Sequence, residues 1–282
     1  MLTEILHGII HPMTERDLIA HTSTPATVES LTADFAALGL RAGMTVLVHS
    51  SLSSLGWVNG GAHAVILALE GVLTRSGTLV MPTQSGDLSD PAHWQNPPVP
   101  EVWWAAIRDT MPAFDPDLTP TRNMGKIPET FRKQQGVRRS RHPQVSFAAW
   151  GASATHVIGS HTLEYSLGEG SPLARLYELD ARVLLIGVGH SNNTSLHLAE
   201  YRADYPGKRV MKYGAPIMVN GEWQWVEFDD IDINPDDFTL VGAAFEETGL
   251  AHKGRAACAG CSFFSQRALV DFAVRWFGEN RK

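Results

Sequence analysis

The sequence predicts an α/β protein, a layered α/β/α structure with a mixed central sheet and a minor lobe or long insertion. Three features predict this class. Short apolar runs alternate with segments of helical periodicity, a hairpin signal lies late in the chain, and a long Pro-, Asp- and Trp-rich stretch interrupts the alternation. Strands that alternate with helices are typical of a sheet covered by helices. No linker, internal repeat or low-complexity tract divides the chain, so we expect a single domain over residues 1–282.

The first part of the chain alternates helical and extended patterns after an irregular start. Apolar residues at helical spacing occupy 27–38 and 62–73. Short apolar runs at 43–49 and 78–81, the second closed by Pro82, are typical of buried strands.

Residues 85–123 differ in composition from the rest of the chain. They are rich in Pro, Asp and Trp, with one short amphipathic segment around 102–111. Long ordered insertions often carry function, so we expect an excursion on the substrate side of the domain; a plain surface loop is the alternative.

The central part of the chain returns to alternation. A helix is predicted at 127–134 and another at 173–179, the latter preceded by Ser171-Pro172. An apolar stretch follows the first helix at 145–150, and the run at 182–188 is apolar enough to be a central strand.

The last part of the chain contains a hairpin and two helices. Two runs within 210–228 flank Asn220-Gly221, a strong hairpin-turn signal, which makes the predicted sheet mixed. Terminal helices are predicted at 236–247 and 266–277.

Composition excludes several classes of protein. The 282 residues are 44% hydrophobic and carry a formal net charge of −7, so the chain is globular and lacks the basic excess that nucleic-acid binding requires. We expect no membrane partner and a cytoplasmic location, because no apolar stretch is long enough to cross a bilayer and the first residues do not resemble an export signal. The acidic balance favours cationic partners, although the same charge also serves solubility.

Two cysteines are too few for a disulfide scaffold, but Cys258 and Cys261 have the spacing of a zinc or redox pair. The surrounding segment, 256–264, is small and apolar like a buried strand, and no second pair of ligands is evident. We therefore favour packing over a metal or redox role and expect no bound metal.

The stretch LLIGVGHSNNTSLHLAEY, 184–201, points to chemistry. A strand leads through glycines and a polar turn into a helix capped by Asn193 or Thr194, and ligands of open α/β sheets bind beyond such strand ends. His197 lies in the first helical turn with Glu200 at i+3, and the helix N-terminus disfavours its protonation. A neutral, carboxylate-backed His197 is a candidate general base, with the acidic stretch 229–232 as a source of the carboxylate; a structural or capping histidine is the alternative.

At these residues the chain resembles the aminoglycoside 3-N-acetyltransferase family, the antibiotic acetyltransferases outside the GNAT group. The resemblance extends over about residues 27–272, and no single motif carries it; several motifs occur in the family's order. They are LVHSSL at 47–52 with Gly60-Gly61, GTLVMP at 77–82, RSRHP at 139–143 leading to AAWG at 148–151, SPLARL at 171–176, and LLIGVG at 184–189 through NTSLHLAE at 193–200.

The resemblance implies an acetyl-CoA-dependent transfer to an amine, the 3-amino group of the 2-deoxystreptamine ring of an aminoglycoside antibiotic. It implies His197 as the catalytic base and an acidic partner in 229–232, for which Asp232 aligns best. With these, Glu200 and Thr194 form the expected catalytic group, Thr194 by stabilising the oxyanion at the helix start. No acyl-enzyme is required, so neither cysteine is expected to be a nucleophile.

The resemblance also implies where the ligands bind. Ser50, Ser51 and Leu52, together with Arg139 and Ser140, match the part of the family that holds CoA. A polycationic acceptor requires anionic walls. The carboxylates chosen for this role from excursion or cleft positions are Asp87, Glu101, Glu164, Glu200 and Glu246.

Two other functions stay open at this level. The same machinery would also serve acetyl transfer to a different amine metabolite, because the motifs do not fix the acceptor. A non-catalytic protein that sequesters CoA or an antibiotic would share the fold, although an intact His197 and acidic partner argue against it. The oligomeric state, monomer or homodimer, is not predicted.

Overall fold

The computed structural model describes residues 14–282. Within this range a seven-stranded mixed sheet forms the centre of the molecule, with strand order β3-β4-β2-β1-β5-β9-β8. Its middle strands β2, β1 and β5 are parallel, and the strands on either side join antiparallel. The strands are β1 (Thr45–Ser50), β2 (Thr78–Pro82), β3 (Arg138–Arg139), β4 (Phe147–Gly151), β5 (Arg182–Ile186), β8 (His252–Ala256) and β9 (Ala259–Ser265).

Helices cover both faces of this sheet, as the predicted layered class requires. Alternate residues of β1 show why: Val46 and Val48 join the hydrophobic core on one face, and Leu47 joins the core on the other. The helices are α1 (Glu15–Ala20), α2 (Val28–Ala37), α3 (Gly61–Leu73), α4 (Trp104–Thr110), α5 (Lys126–Phe131), α6 (Ala154–Ile158), α7 (Pro172–Glu178), α8 (Ser195–Arg202), α9 (Phe238–Glu247) and α10 (Gln266–Asn280).

The two cores divide the helices between them. Residues of α2, α3 and α5 pack in the first core, and residues of α6 to α10 pack in the second. Parallel strands buried on both faces are continuous apolar runs, and β1, β2 and β5 have that character. The predicted α/β class and mixed sheet are confirmed.

A separate two-stranded sheet forms the minor lobe. Strands β6 (Val210–Val219) and β7 (Glu222–Ile231) pair antiparallel around Asn220 and Gly221, both of which have positive φ, 52° and 87°. Two consecutive residues with positive φ form the turn that suits the twist of a hairpin, and this Asn-Gly pair adopts it readily.

Residues 85–123 lie against this hairpin. The Phe114 amide donates to the Pro216 carbonyl (3.1 Å), and the Trp223 indole donates to the Met111 carbonyl (2.9 Å). Within the segment α4 falls in the stretch predicted to be amphipathic. Two 3₁₀ turns, Pro91–His93 and Glu101–Trp103, precede it, and most of the remaining residues form turns and irregular structure.

Sequence periodicity missed elements whose stability depends on tertiary packing. Helices α1 and α6 span six and five residues, too short for a periodic pattern, and β3 has two. Helix α5 ends at Phe131, before the predicted Gln134. Within residues 14–282 no helix combines the length and apolar character needed to cross a bilayer.

Candidate active site

A cavity of about 830 Å³ opens at the carboxyl ends of β1, β2 and β5. We call it the main cavity. In an open α/β sheet, the residues that follow the central strands and the first turns of the next helices face a common crevice. This arrangement explains the position of the cavity. Its lining includes Glu15, His49, Ser50, Ser51, Leu52, Trp57, Asn123, Met124, Lys126, Asn193, Thr194, His197 and Phe238.

His197 and Glu200 form a hydrogen-bonded pair at the wall of this cavity. The Nδ1 atom of His197 lies 2.6 Å from Oε2 of Glu200, one turn further along α8. The Glu200 side chain is completely buried, whereas His197 is 11% exposed and lines the main cavity. Because the carboxylate accepts the Nδ1 proton, Nε2 is left as the ring nitrogen with a free lone pair.

The second oxygen of Glu200 is bound by two donors. Oε1 accepts from the backbone N–H of Asn234 (2.9 Å) and from the Arg281 guanidinium (2.7 Å). Burial opposes the charge of Arg281, but hydrogen bonds to Asp237 and Glu200 outweigh it and raise the pKa of the guanidinium. Sequence reasoning missed Arg281, since nothing local connects the next-to-last residue with α8.

Asp232 is not the partner of His197, so that prediction is wrong. Its Oδ2 accepts from the Nε (2.8 Å) and Nη2 (2.5 Å) atoms of Arg209 at the end of the hairpin. The neighbouring Asp230 is also engaged, by the Tyr201 hydroxyl (2.5 Å) and the Ser166 amide (3.1 Å). The i+3 carboxylate of the same helix makes the contact instead.

His49 and Thr194 meet in the wall of the main cavity. The Nε2 atom of His49, at the end of β1, lies 3.4 Å from Oγ1 of Thr194, the residue before α8. Burial, and secondarily the neighbouring histidines 190 and 197, lowers the pKa of His49 to about 3, so its ring is neutral. Sequence analysis gave His49 no role; its position after an apolar strand that ends in the crevice was the available signal.

Of the predicted CoA residues, the three at the end of β1 line the main cavity. Ser50, Ser51 and Leu52 form part of its wall. The Ser51 and Ser53 hydroxyls lie 3.2 Å apart, and the buried Oγ of Ser50 has no hydrogen-bond partner in the described part of the chain. A buried hydroxyl without a partner is uncommon and suits a ligand contact.

Arg139 and Ser140 lie elsewhere, which corrects their expected role. Arg139 is buried, with 8% of the residue exposed, and its guanidinium donates to the carbonyls of Thr83 and Thr119 (2.5 Å each), which fixes the segment 85–123 to the sheet. Desolvation lowers the pKa of Arg139 to about 10. The Ser140 hydroxyl lies 2.9 Å from His161 Nδ1, and neither residue 139 nor 140 lines the main cavity.

The carboxylates expected to receive a polycation are dispersed. Asp87 pairs with Arg122 at a second cavity of about 580 Å³, and Glu101 and Glu164 are exposed outside both cavities. Glu246 is held by Lys253 (2.7 Å). None of the four lines the main cavity, and their role toward the acceptor stays a prediction; Asp87 lies in the wall of the second cavity. Among residues 14–282, the carboxylate in the wall of the main cavity is that of Glu15, on a helix too short for sequence periodicity to show.

The two cysteines differ in environment. Cys261 is buried in the first core, and desolvation raises the pKa of its thiol to about 11, whereas Cys258 is exposed. Among residues 14–282, no group of three or more His, Cys, Asp or Glu side chains is arranged to hold a metal ion.

Together the fold and site define a class: a layered α/β enzyme whose cleft holds a histidine–glutamate pair. Comparison with known proteins identifies the family within this class. The profile of the aminoglycoside 3-N-acetyltransferase family matches residues 47–278, and the chain belongs to that family.

Individual relatives cover nearly the whole chain. The SPbeta prophage-derived aminoglycoside N(3')-acetyltransferase-like protein YokD of Bacillus subtilis (strain 168) is 49% identical over 94% of this chain and 97% of its own. Its crystal structure superposes with a TM-score of 0.92, over 94% of this chain and 98% of that one. Aminoglycoside N(3)-acetyltransferase VII of Streptomyces paromomycinus is 38% identical over 95% of this chain and 96% of its own.

A third relative was solved with a ligand. The structure described as AAC-IIIb binary with CoASH is 32% identical, has a TM-score of 0.82, and covers 92% of this chain and 98% of its own. The identification as an enzyme of this family, an acetyltransferase, is therefore confirmed.

Proposed function

We propose that the protein transfers the acetyl group of acetyl-CoA to the 3-amino group of the 2-deoxystreptamine ring of an aminoglycoside, with His197 as general base. The observation that carries this proposal is the His197–Glu200 pair, 2.6 Å apart, in the wall of the main cavity of a chain that belongs to this family.

The geometry supports proton removal from the acceptor. An amine of this kind is mostly protonated near neutral pH and attacks a thioester only after it loses a proton. The free lone pair on His197 Nε2 accepts that proton, and the Glu200 carboxylate stabilises the imidazolium that forms. Arg281 and the Asn234 amide hold Glu200 in place, so the ring orientation is fixed before the substrate arrives.

Acetyl transfer then follows by direct attack. The amine nitrogen bonds to the thioester carbonyl carbon, and the tetrahedral intermediate collapses as the C–S bond breaks and the CoA thiolate leaves. The nitrogen loses its second proton to the departing thiolate as the amide forms, and His197 returns the first proton to solvent. In this proposal the hydroxyl of Thr194, a residue that lines the cavity just before α8, donates to the oxyanion. In this order of chemical steps, no covalent acyl-enzyme forms.

The main cavity suits both substrates. Ser50, Ser51 and Leu52 offer the unpartnered hydroxyl and apolar surface that a CoA arm would contact, and the relative AAC-IIIb binds CoASH. For the acceptor, the formal net charge of −7 and the Glu15 carboxylate favour a polycation. We propose that residues 85–123 determine which acceptor amine is bound, because Asn123 of this segment lines the main cavity.

The test is thiol release from acetyl-CoA measured against a panel of aminoglycosides and unrelated amines, followed by location of the acetylated nitrogen by NMR. Turnover confined to aminoglycosides, with acetylation at the 3-amino group, is the expected result. Preferential turnover of another amine would replace the aminoglycoside as acceptor, and a burst of CoA without any acceptor would refute direct attack.

A variant tests the assigned base. His197→Gln is expected to lower kcat by about 10²- to 10⁴-fold, the usual contribution of a general base. The dissociation constant for CoA, measured by calorimetry, should change less than about twofold, because the histidine acts on the amine rather than on the coenzyme. Wild-type turnover in this variant would remove His197 from the mechanism.

A further inference from the structure

We infer that Lys126 binds a phosphate group of the coenzyme and thereby selects CoA over thioesters that lack phosphates. This inference rests on the proposed use of acetyl-CoA. It concerns a residue that lies outside every motif by which the family was recognised.

Among the described residues, the main cavity contains one fixed cation. Of the described residues that line it, Lys126 alone is a lysine or arginine. The histidine at position 49 is neutral because it is buried, and His197 is held by Glu200. In the wall formed by residues 14–282, a coenzyme with a diphosphate and a 3′-phosphate therefore meets a single permanent positive charge, in a protein whose formal net charge of −7 repels anions.

Lys126 is also not neutralised by a carboxylate of the described residues. Lysines 133, 212 and 253 each pair with a carboxylate at 2.7 Å, whereas Lys126 has no ion-pair partner in residues 14–282. Its side chain is exposed at the start of α5. An ammonium with three donors and no acceptor beside a cavity suits a phosphate oxygen.

The position of Lys126 matches the shape of the coenzyme. Ile127 and Phe131 anchor α5 in the first core, on the face of the sheet that carries α2 and α3, whereas α8 and His197 lie on the other face. The main cavity thus runs across the carboxyl edge of the sheet from one helical layer to the other. CoA is built in the same way, with its thioester at one end and its phosphates at the other, joined by the pantetheine arm.

The test compares three acetyl donors: acetyl-CoA, acetyl-dephospho-CoA, which lacks the 3′-phosphate, and acetyl-pantetheine, which lacks all phosphates. Lys126→Met removes the charge and keeps most of the alkyl chain. It is expected to raise KM for acetyl-CoA about tenfold, the effect of losing one charge-assisted hydrogen bond. A smaller effect on acetyl-dephospho-CoA would assign the 3′-phosphate, and an equal effect would assign the diphosphate.

Two controls keep the result specific. Lys126→Arg retains a cation and should restore most of the affinity, and Lys133→Met removes the same charge from a neighbouring exposed position outside the cavity. An equal rise in KM for acetyl-pantetheine, or no change with acetyl-CoA, would overturn the inference.

The two proposals fail in different ways. If the wild-type protein transferred no acetyl group to any amine, the proposed function would fall, but calorimetric titration with CoA would still test Lys126. Wild-type CoA affinity weakened about tenfold by Lys126→Met supports the inference, and identical affinities refute it.

Discussion

Replacement of Glu200 by glutamine alters the proposed site with the smallest change of shape. Glutamine keeps the volume of this completely buried side chain and offers one oxygen where the carboxylate had two. Arg281 and the Asn234 amide both donate to Oε1, so the amide oxygen stays with them. The NH₂ group of the glutamine side chain then faces His197 Nδ1. Nδ1 can accept a hydrogen bond from this NH₂ group only if the ring proton moves to Nε2.

The effect on catalysis follows from this tautomer. A ring protonated on Nε2 has no lone pair directed at the substrate ammonium, and the imidazolium loses its negative neighbour. We expect kcat to fall by about 10³- to 10⁴-fold, the loss found when a catalytic histidine is held in the wrong tautomer. The KM for acetyl-CoA should change little, because Glu200 does not line the main cavity.

The effect on stability is separable from the effect on catalysis. Removing one partner of a buried ion pair costs about 3–5 kcal/mol. Asp237 continues to bind Arg281 through two hydrogen bonds, at 2.7 and 2.8 Å, so the cost should fall at the lower end. For a chain of this size, about 3 kcal/mol corresponds to a fall in Tm of roughly 6 °C.

The assay is thiol release at 25 °C, well below the Tm of a folded variant, with Tm measured in parallel by calorimetry. Asp232→Asn is the matched control, since it removes a carboxylate that binds Arg209 on the surface and should change kcat by less than about twofold. If Glu200→Gln kept wild-type kcat, or if Asp232→Asn lost activity as severely, the assignment of Glu200 as the partner of His197 would be refuted.

Two further predictions concern the oxyanion and the buried histidines. Thr194→Val should lower kcat by about 10²-fold and Thr194→Ser should restore it, if the hydroxyl stabilises the oxyanion; a fully active valine variant would exclude that role. Burial lowers the pKa values of His49 and His142 to about 3 and of His161 to about 4, against about 6.5 when unfolded, so the folded state favours neutral rings. The free energy of unfolding should therefore be highest above pH 6.5 and fall by up to about 1.4 kcal/mol per pH unit for each histidine as pH decreases toward 4. Urea titrations at pH 7, 6 and 5 measure this slope, which His161→Gln should reduce; equal values at the three pH values would contradict the prediction.

Local patterns were enough to predict the layers of the fold. The apolar runs of β1, β2 and β5 are buried on both faces, so their composition alone distinguishes them from surface strands. The hairpin turn depends on two adjacent residues that tolerate positive φ, which Asn220 and Gly221 supply. Short elements such as α6 carry too few residues for periodicity, and their packing partners are distant in the chain.

The same distinction applies to the candidate site. His197 and Glu200 are three residues apart on one helix, so the spacing in the sequence places them on one face, and the structure shows the contact. The predicted partner Asp232 is wrong because strand register decides which cation lies beside a carboxylate on the hairpin. For Asp232 that cation is Arg209.

The sequence by itself determined the class of fold, the family and the position of His197 and Glu200 on one face of a helix, because each depends on neighbours within a few residues or on motifs in order; that Glu200 rather than Asp232 is the partner of His197 came from the structure. Only the tertiary structure decided that Arg281 stabilises Glu200, that Arg139 supports the segment 85–123 instead of a ligand, and that Lys126 lies in the cavity wall. The physical reason is that tertiary packing brings together groups that are far apart along the chain, and that a buried charge, such as that of Glu200 or Arg139, is satisfied by the nearest partner in space.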